Sequence, residues 1–130
     1  KILEKETEKQ CEIMIKGDRK TAFADEEMVR EVLQNLLANA FRYAKTSVEV
    51  IISAELSRLV ITVEDDGTGF QEDTDKVTQA FYHSNPKDDL KHFGMGMYIS
   101  RVFCERHGGG LYIEQNKREG AKVKAVFKER

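Results

Sequence analysis

Asn35-Leu36-Leu37-Ala38-Asn39-Ala40, in the middle of a helical pattern, is the stretch on which the fold turns. A helix sets residues three and four apart on one side, so Asn35 and Asn39 share a stripe one turn apart. Val29, Leu33, Leu36, Leu37 and Ala40 make an apolar face, while Glu31, Asn35, Asn39 and Arg42 fall roughly opposite. Asp25 is an N-cap residue type, and Glu26 and Glu27 place acid in the first turn, where the helix dipole favours it. The spacing predicts a helix ending at Tyr43 or Ala44. A polar stripe on a helix that is otherwise buried needs an occupant.

Outward from this helix, Cys11-Glu12-Ile13-Met14-Ile15 alternates as a strand does, and Thr21-Ala22-Phe23 offers a short second one. Residues 47–56 and 59–64 are β-branched runs separated by a short turn, most simply a hairpin. Residues 71–90 lack periodicity and contain the chain's single proline, Pro86; they read as a long loop with one short helix at 77–82. A second helix is expected over 95–107, with Met97, Ile99, Val102 and Phe103 available for packing. Gly108-Gly109-Gly110 ends it. Strands at 111–114 and 121–127, around a turn at Glu119-Gly120, finish the pattern. Strands at both ends and in the middle, with helices between, indicate an α+β two-layer sandwich, a mixed and mostly antiparallel sheet covered on one face by helices.

The chain of 130 residues has the size of one domain, with 40% hydrophobic and 34% charged residues, as soluble globular proteins have. Its formal net charge of -2 gives no basic field for nucleic acid, and no apolar run of about 18 residues is present to cross a membrane. Cys11 and Cys104 lie far apart and match no metal spacing, so two buried reduced thiols and a reducing compartment are expected. The chain starts at Lys1 with neither methionine nor a signal-peptide pattern, which suits a piece of a longer protein.

Two further segments carry chemistry. Asp65-Asp66-Gly67-Thr68-Gly69-Phe70 follows a strand directly, and Gly94-Met95-Gly96-Met97 opens the second helix. A fixed carboxylate at Asp65 can accept from an exocyclic amine, and the glycines after it permit a tight turn and room for a ring. Glycines at a helix start let free N–H groups approach phosphate. Asn35 and Asn39 offer hard amide oxygens, and Arg42 a guanidinium for phosphate. Singly, each segment more often describes a solvated helix face or a tight turn. In this order they outline a site for ATP with Mg2+.

The whole chain resembles the catalytic ATP-binding domain of sensor histidine kinases, in the GHKL superfamily (Bergerat fold) shared with gyrase, heat-shock chaperone and mismatch-repair ATPases. The stretch Glu31-Val32-Leu33-Gln34-Asn35-Leu36-Leu37-Ala38-Asn39-Ala40-Phe41-Arg42-Tyr43 resembles the kinase N box, and Val63-Glu64-Asp65-Asp66-Gly67-Thr68-Gly69-Phe70 the first glycine box. Ala80-Phe81-Tyr82 resembles the F box, and Gly94-Met95-Gly96-Met97-Tyr98-Ile99-Ser100 the second glycine box. Arg106-His107-Gly108-Gly109 and Glu119-Gly120-Ala121 resemble the family's closing strand pair. The resemblance implies that Asn39 ligates Mg2+ and that Asn35 lies beside the γ-phosphate. Arg42 and Tyr43 would meet phosphate or ribose, with Asn35 and Arg42 as the catalytic pair. Asp65 would read the adenine amine, with Gly67, Gly69 and Phe70 shaping the base pocket. Tyr82, Gly94, Met95, Gly96 and Met97 would complete the nucleotide contacts, under a lid over 71–93.

It further implies that residues 1–10 link to an upstream dimerisation and phosphoacceptor domain, with 11–130 as the ATP-binding domain. The partners would be ATP, that helical domain of the same polypeptide and a cognate response regulator, in a homodimeric, membrane-anchored sensor whose cytoplasmic part this is. This part itself would touch neither nucleic acid nor membrane. Two positions depart from the family pattern: His92 stands where a further glycine is usual, and His83 where an arginine often follows the F box; Lys87 or Lys91 are the candidate substitutes for its charge. Hydrolytic relatives carry a glutamate at the place of Asn35, and an amide cannot take a proton from water. Asn35 therefore argues for γ-phosphoryl transfer to a delivered nucleophile, which the resemblance implies is a histidine on a separate dimerising helical domain. Glu31, one turn earlier, is the alternative base, with a surface role the simpler reading. His83, His92 and His107 do not match the acceptor's context, and His107 reads as capping or packing near a helix end. The rival readings are a hydrolytic or serine-directed kinase of the same superfamily, and a degenerate interaction domain without catalysis.

Overall fold

The structure, a computed structural model, describes residues 10–17, 22, 24–67, 96–115 and 120–129. In chain order these form β1 (Gln10–Lys16), α1 (Glu26–Tyr43), β2 (Ser47–Glu55), β3 (Arg58–Asp65), α2 (Gly96–Arg106), β4 (Gly110–Gln115) and β5 (Ala121–Lys128). The sheet runs β1-β2-β3-β5-β4; β1 is parallel to β2 and every other pairing is antiparallel. Both helices lie on one face, packed against each other and the central strands. The expected α+β sandwich is the fold observed. Residues 1–9, Thr21, Phe23, the 71–90 loop with its expected short helix, and Glu119 lie outside the described residues.

Alternation builds the core. Val48 and Val50 of β2, Leu59, Ile61 and Val63 of β3, and Val123, Ala125 and Phe127 of β5 point at the helices and are buried. Val32 and Leu36 of α1 meet them at 0% and 1% exposure, a burial worth about 2 kcal/mol for each side chain. The buried stripe of α1 is Val32, Leu36, Ala40 and Phe41, rotated from the expected face: Val29, Leu33 and Leu37 are only half-buried flanks. On α2 the buried residues are Met97, Ser100 and Cys104, where Ile99 and Val102 were expected to pack; these two are half-buried. Each helix packs against both the sheet and the other helix, so its buried stripe is set by two neighbours rather than by its own apolar pattern alone.

The helix ends follow their sequence signals. Asp25 accepts from Met28 N at 3.0 Å as the N-cap of α1. At the end of α2, Gly109 N donates to Cys104 O and Gly108 N to Glu105 O, both at 2.9 Å, and Gly108 has φ +73°. This pair of bonds is the Schellman arrangement, for which a glycine in the left-handed region is favoured. His107 joins the two helices. Its Nε2 accepts from Asp25 N at 3.1 Å, so its Nδ1 must carry the proton donated to Phe103 O at 2.9 Å. The ring is 6% exposed and stands edge-on to Phe127. Cys104 is fully buried, and burial first of all pushes its thiol up to about 12. Cys11, expected to be buried as well, is half-buried on the edge strand, and neither cysteine is in a disulfide.

The loop from α1 to β2 is held by Asp66. Its Oδ1 accepts from Lys45 N at 2.8 Å, Thr46 N at 3.0 Å and Ser47 N at 3.2 Å, while the Thr46 hydroxyl donates to Oδ2. Desolvation pushes this carboxyl upward, but the Thr46 hydroxyl and the Thr46, Ser47 and Lys45 N–H donors prevail and hold it well below the usual carboxylate range. The β2–β3 hairpin turns on Leu56 and Ser57, with φ of 52° and 61°. Neither residue type favours that region, and Leu56 is 86% exposed, so no packing compensates.

Two stability changes are expected. Replacing Leu56-Ser57 by Asn-Gly relieves the left-handed strain and raises unfolding free energy by about 1 kcal/mol in urea titrations. Asp66→Asn costs about 1 kcal/mol at neutral pH. A carboxyl with a depressed folded value stabilises above its unfolded value and loses that contribution as pH falls towards the folded one. The gap between wild type and Asp66→Asn should therefore narrow below the ordinary carboxylate range, as urea midpoints across acid pH will show.

Candidate functional site

The site is built on α1, whose half-buried Asn35, Asn39 and Arg42 lie beside the buried stripe. Asn35 reaches α2: its Nδ2 donates to Gly96 O at 3.2 Å and to Ser100 Oγ at 3.3 Å, and Ser100 Oγ donates to Gly96 O at 2.8 Å. The first residue of α2 is thus tied to the amide of the first asparagine. A side chain at position 96 would begin 3.6 Å from Asn35 Cγ and 3.7 Å from Asn35 Oδ1, an ordinary distance. The lack of a Cβ leaves a gap at the helix start, bordered by an amide oxygen.

The end of α1 carries the second cluster. The Arg42 guanidinium lies 5.9 Å from the centre of the Tyr43 ring. The Tyr43 carbonyl sits 2.0 Å from where a Cβ on Gly67 would be, so only glycine fits there. Asp65, 4% exposed at the end of β3, accepts through Oδ1 from Gly67 N at 2.8 Å and from Ala121 N at 3.4 Å. Gly120 is equally constrained, since its Cβ would fall 1.7 Å from the Asp65 carbonyl. A buried carboxylate held by backbone donors from the turn after β3 and from β5 is fixed in direction.

Asn35 and Gly96 therefore meet midway along α1, with Met97, the next residue, buried in the core, and Tyr43, Asp65 and Gly67 gather at the end of α1. Eight residues of helix separate Asn35 from Tyr43, a distance of about 12 Å. Gly69, Phe70, Tyr82, Gly94 and Met95 lie outside the described residues, as do His83, Lys87, Lys91 and His92. Glu31 is exposed. Reading by motif missed Ser100, Ala121 and the holding role of Asp66. Ser100 had one legible signal, a hydroxyl four residues after Gly96 on an apolar helix. The contact from Ala121 joins residues 56 apart in sequence and had none.

Among the described residues no three His, Cys, Asp or Glu side chains converge as a metal cage. Magnesium that arrives with phosphate oxygens needs only one or two protein oxygens, and an amide oxygen at the helix-start gap fits that demand. The helix-free sheet face holds a groove lined in part by Gln10, Glu12, Ser47, Glu49, Glu64 and Asp66. Its carboxylates would repel a triphosphate. No helix among the described residues is long and apolar enough to cross a membrane.

Comparison with known proteins places the chain by sequence and by fold. The chain is 30% identical over 107 residues to the heme sensor protein HssS of Staphylococcus saprophyticus, covering 80% of this chain and 23% of that protein. It is 31% identical over 107 residues to the sensor protein RprX of Bacteroides fragilis, covering 77% and 21%. The sensor histidine kinase CpxA of Escherichia coli is 29% identical over 98 residues, covering 73% and 21%. The chain thus spans between a fifth and a quarter of these relatives. Its fold superposes on full-length ShkA, solved in complex with AMPPNP, with TM-score 0.82 at 22% identity over 99% of this chain and 28% of that one. The catalytic domain of the histidine kinase ThkA gives TM-score 0.78 at 20% identity over 97% and 82%. The family model for histidine kinase-, DNA gyrase B- and HSP90-like ATPases matches residues 24–130. With its motifs, fold and relatives in agreement, the chain belongs to the histidine kinase-, DNA gyrase B- and HSP90-like ATPase family.

Proposed function

We propose that this chain binds ATP with Mg2+ and supplies the γ-phosphoryl group to a histidine on a helical dimerisation domain of the same sensor kinase. The observation that carries the reading is the tie between Asn35 and the first turn of α2. It sets an amide-bearing helix against a helix N-terminus, where free N–H groups and the dipole favour phosphate. Asp65, at the end of β3 beside the Gly67 turn that abuts Tyr43, suits the other end of the same extended nucleotide, accepting from the adenine amine. Residues 11–130 would form the nucleotide-binding unit, with 1–10 leading from the acceptor domain. A cognate response regulator, a homodimeric and membrane-anchored whole protein, and a cytoplasmic position for this part complete the reading.

Transfer breaks the bond between the γ-phosphorus and the β–γ bridging oxygen, whose electron pair leaves with ADP, and forms a bond from phosphorus to a histidine nitrogen. The chain's own part is placement and charge compensation. Asn35 and Asn39 present amide groups beside the phosphates, Arg42 offers a cation, and Gly96 leaves backbone access at the head of α2. Magnesium, when held by Asn39 and phosphate oxygens, offsets charge on the triphosphate. Asn35 has no basic atom to activate water, which favours a delivered nucleophile over hydrolysis. Tyr43 and Met97 border the nucleotide, and Gly67 closes the turn behind the base.

Two outcomes are expected. Asp65→Asn preserves the acceptor for Gly67 N and Ala121 N but presents the wrong group to an amine. ATP affinity by calorimetry should fall at least about tenfold, with the melting temperature little changed; equal affinities refute the role of Asp65. The isolated chain should release phosphate from ATP at well below about 1 per second, yet phosphorylate a supplied histidine-bearing helical domain. Rapid hydrolysis, or transfer to serine, favours the rival enzymatic readings, and absent nucleotide binding favours a non-catalytic domain.

A further inference from the structure

Ser100 is fully buried on α2, and its hydroxyl sits between two elements of the site. Its single proton goes to Gly96 O at 2.8 Å, so towards Asn35 it can offer only lone pairs. The Gly96 carbonyl, 3.2 Å from the Asn35 amide, is likewise an acceptor alone. Both therefore demand the NH2 end of Asn35, and the hydroxyl receives it at 3.3 Å. Rotating that amide by half a turn would set its oxygen against two acceptors. The orientation is forced by the partners' chemistry.

The consequence lies on the other side of the amide. Among the described residues, the space a side chain at position 96 would enter is bordered by Asn35 Cγ, Oδ1 and Cβ at 3.6, 3.7 and 3.8 Å. With the nitrogen turned to Gly96 O and Ser100 Oγ, the polar Asn35 atom that borders this space, beside Cγ and Cβ, is the oxygen. An amide oxygen attracts a cation or the protons of its bound water and repels a bare phosphate oxygen. We propose that Ser100, with the Gly96 carbonyl, is a positioning residue that locks the Asn35 amide with its nitrogen inward, so that its oxygen meets hydrated magnesium rather than phosphate itself. The inference rests on the Mg-ATP reading above and refines it, giving Asn35 a magnesium-side role that depends on a hydroxyl outside the asparagine pair.

The test compares ATP binding to wild type and Ser100→Ala by calorimetry, in Mg2+ and in EDTA, with melting temperatures recorded in parallel. Removing one of the two acceptors should weaken ATP binding about fivefold in Mg2+ and leave it unchanged in EDTA. If the alanine variant fails to fold, Ser100→Cys, with a side chain of similar size and a weak acceptor, replaces it under the same expectation. In nucleotide-free protein, the Asn35 side-chain amide signals in 15N NMR should shift and broaden in the variant, since one hydrogen of the NH2 group loses its partner. Equal losses in both buffers would mark a purely structural role and overturn the proposal, as would unchanged affinity in Mg2+. Wild-type protein that binds no ATP in either buffer would sink the parent reading, and this one with it.

Discussion

Helix α1 is held at three heights along its length. At its start, Asp25 N donates to the buried His107; at its middle, Asn35 bonds Gly96 and Ser100; at its end, the Tyr43 carbonyl lies against Gly67. The first two contacts tie it to opposite ends of α2, which fixes the helices antiparallel. The third ties it to the end of β3. Apolar packing alone would allow α1 to slide or rotate at modest cost, because Leu, Val and Ala present similar surfaces turn after turn. Directional bonds remove that freedom, and every candidate nucleotide contact on α1 inherits its position from them.

The pair Asp65-Asp66 shows how adjacent identical residues take different tasks. Asp65 ends a strand position facing the helices, so its carboxylate is buried and aimed by Gly67 N and Ala121 N. Asp66, one residue on, faces the opposite way and gathers the N–H groups of Lys45, Thr46 and Ser47. One is aimed at the candidate site, while the other anchors the loop by which the chain leaves α1. The alternation of a strand suffices to make this division.

Much of this was legible beforehand because it is local. The N-cap at Asp25, the glycine-terminated α2, the hairpin and the order of strands and helices follow from residue types at short spacing. The rotation of the buried faces was not legible: Val32 and Phe41 on α1, and Ser100 and Cys104 on α2, are buried by packing against the sheet and the other helix together, which no single-helix pattern contains. The left-handed turn at Leu56-Ser57 carries no turn residues to announce it. Of the site, the asparagines, Asp65 and the glycines were readable as motifs. Ser100 and Ala121 act through contacts 65 and 56 residues apart in sequence. Only packing of the two helices and pairing of β3 with β5 bring such partners together.

Cys104 draws a different consequence from the same packing. With its thiol raised to about 12, almost no thiolate exists at cellular pH, and the thiolate is the form that oxidants and alkylating agents attack. The sulfur lies between α2 and the sheet beside Val126, so a reagent reaches it only when that helix lifts away. The rate at which it is modified is therefore a clock for local opening of the second helix, written into the chain without any engineered label.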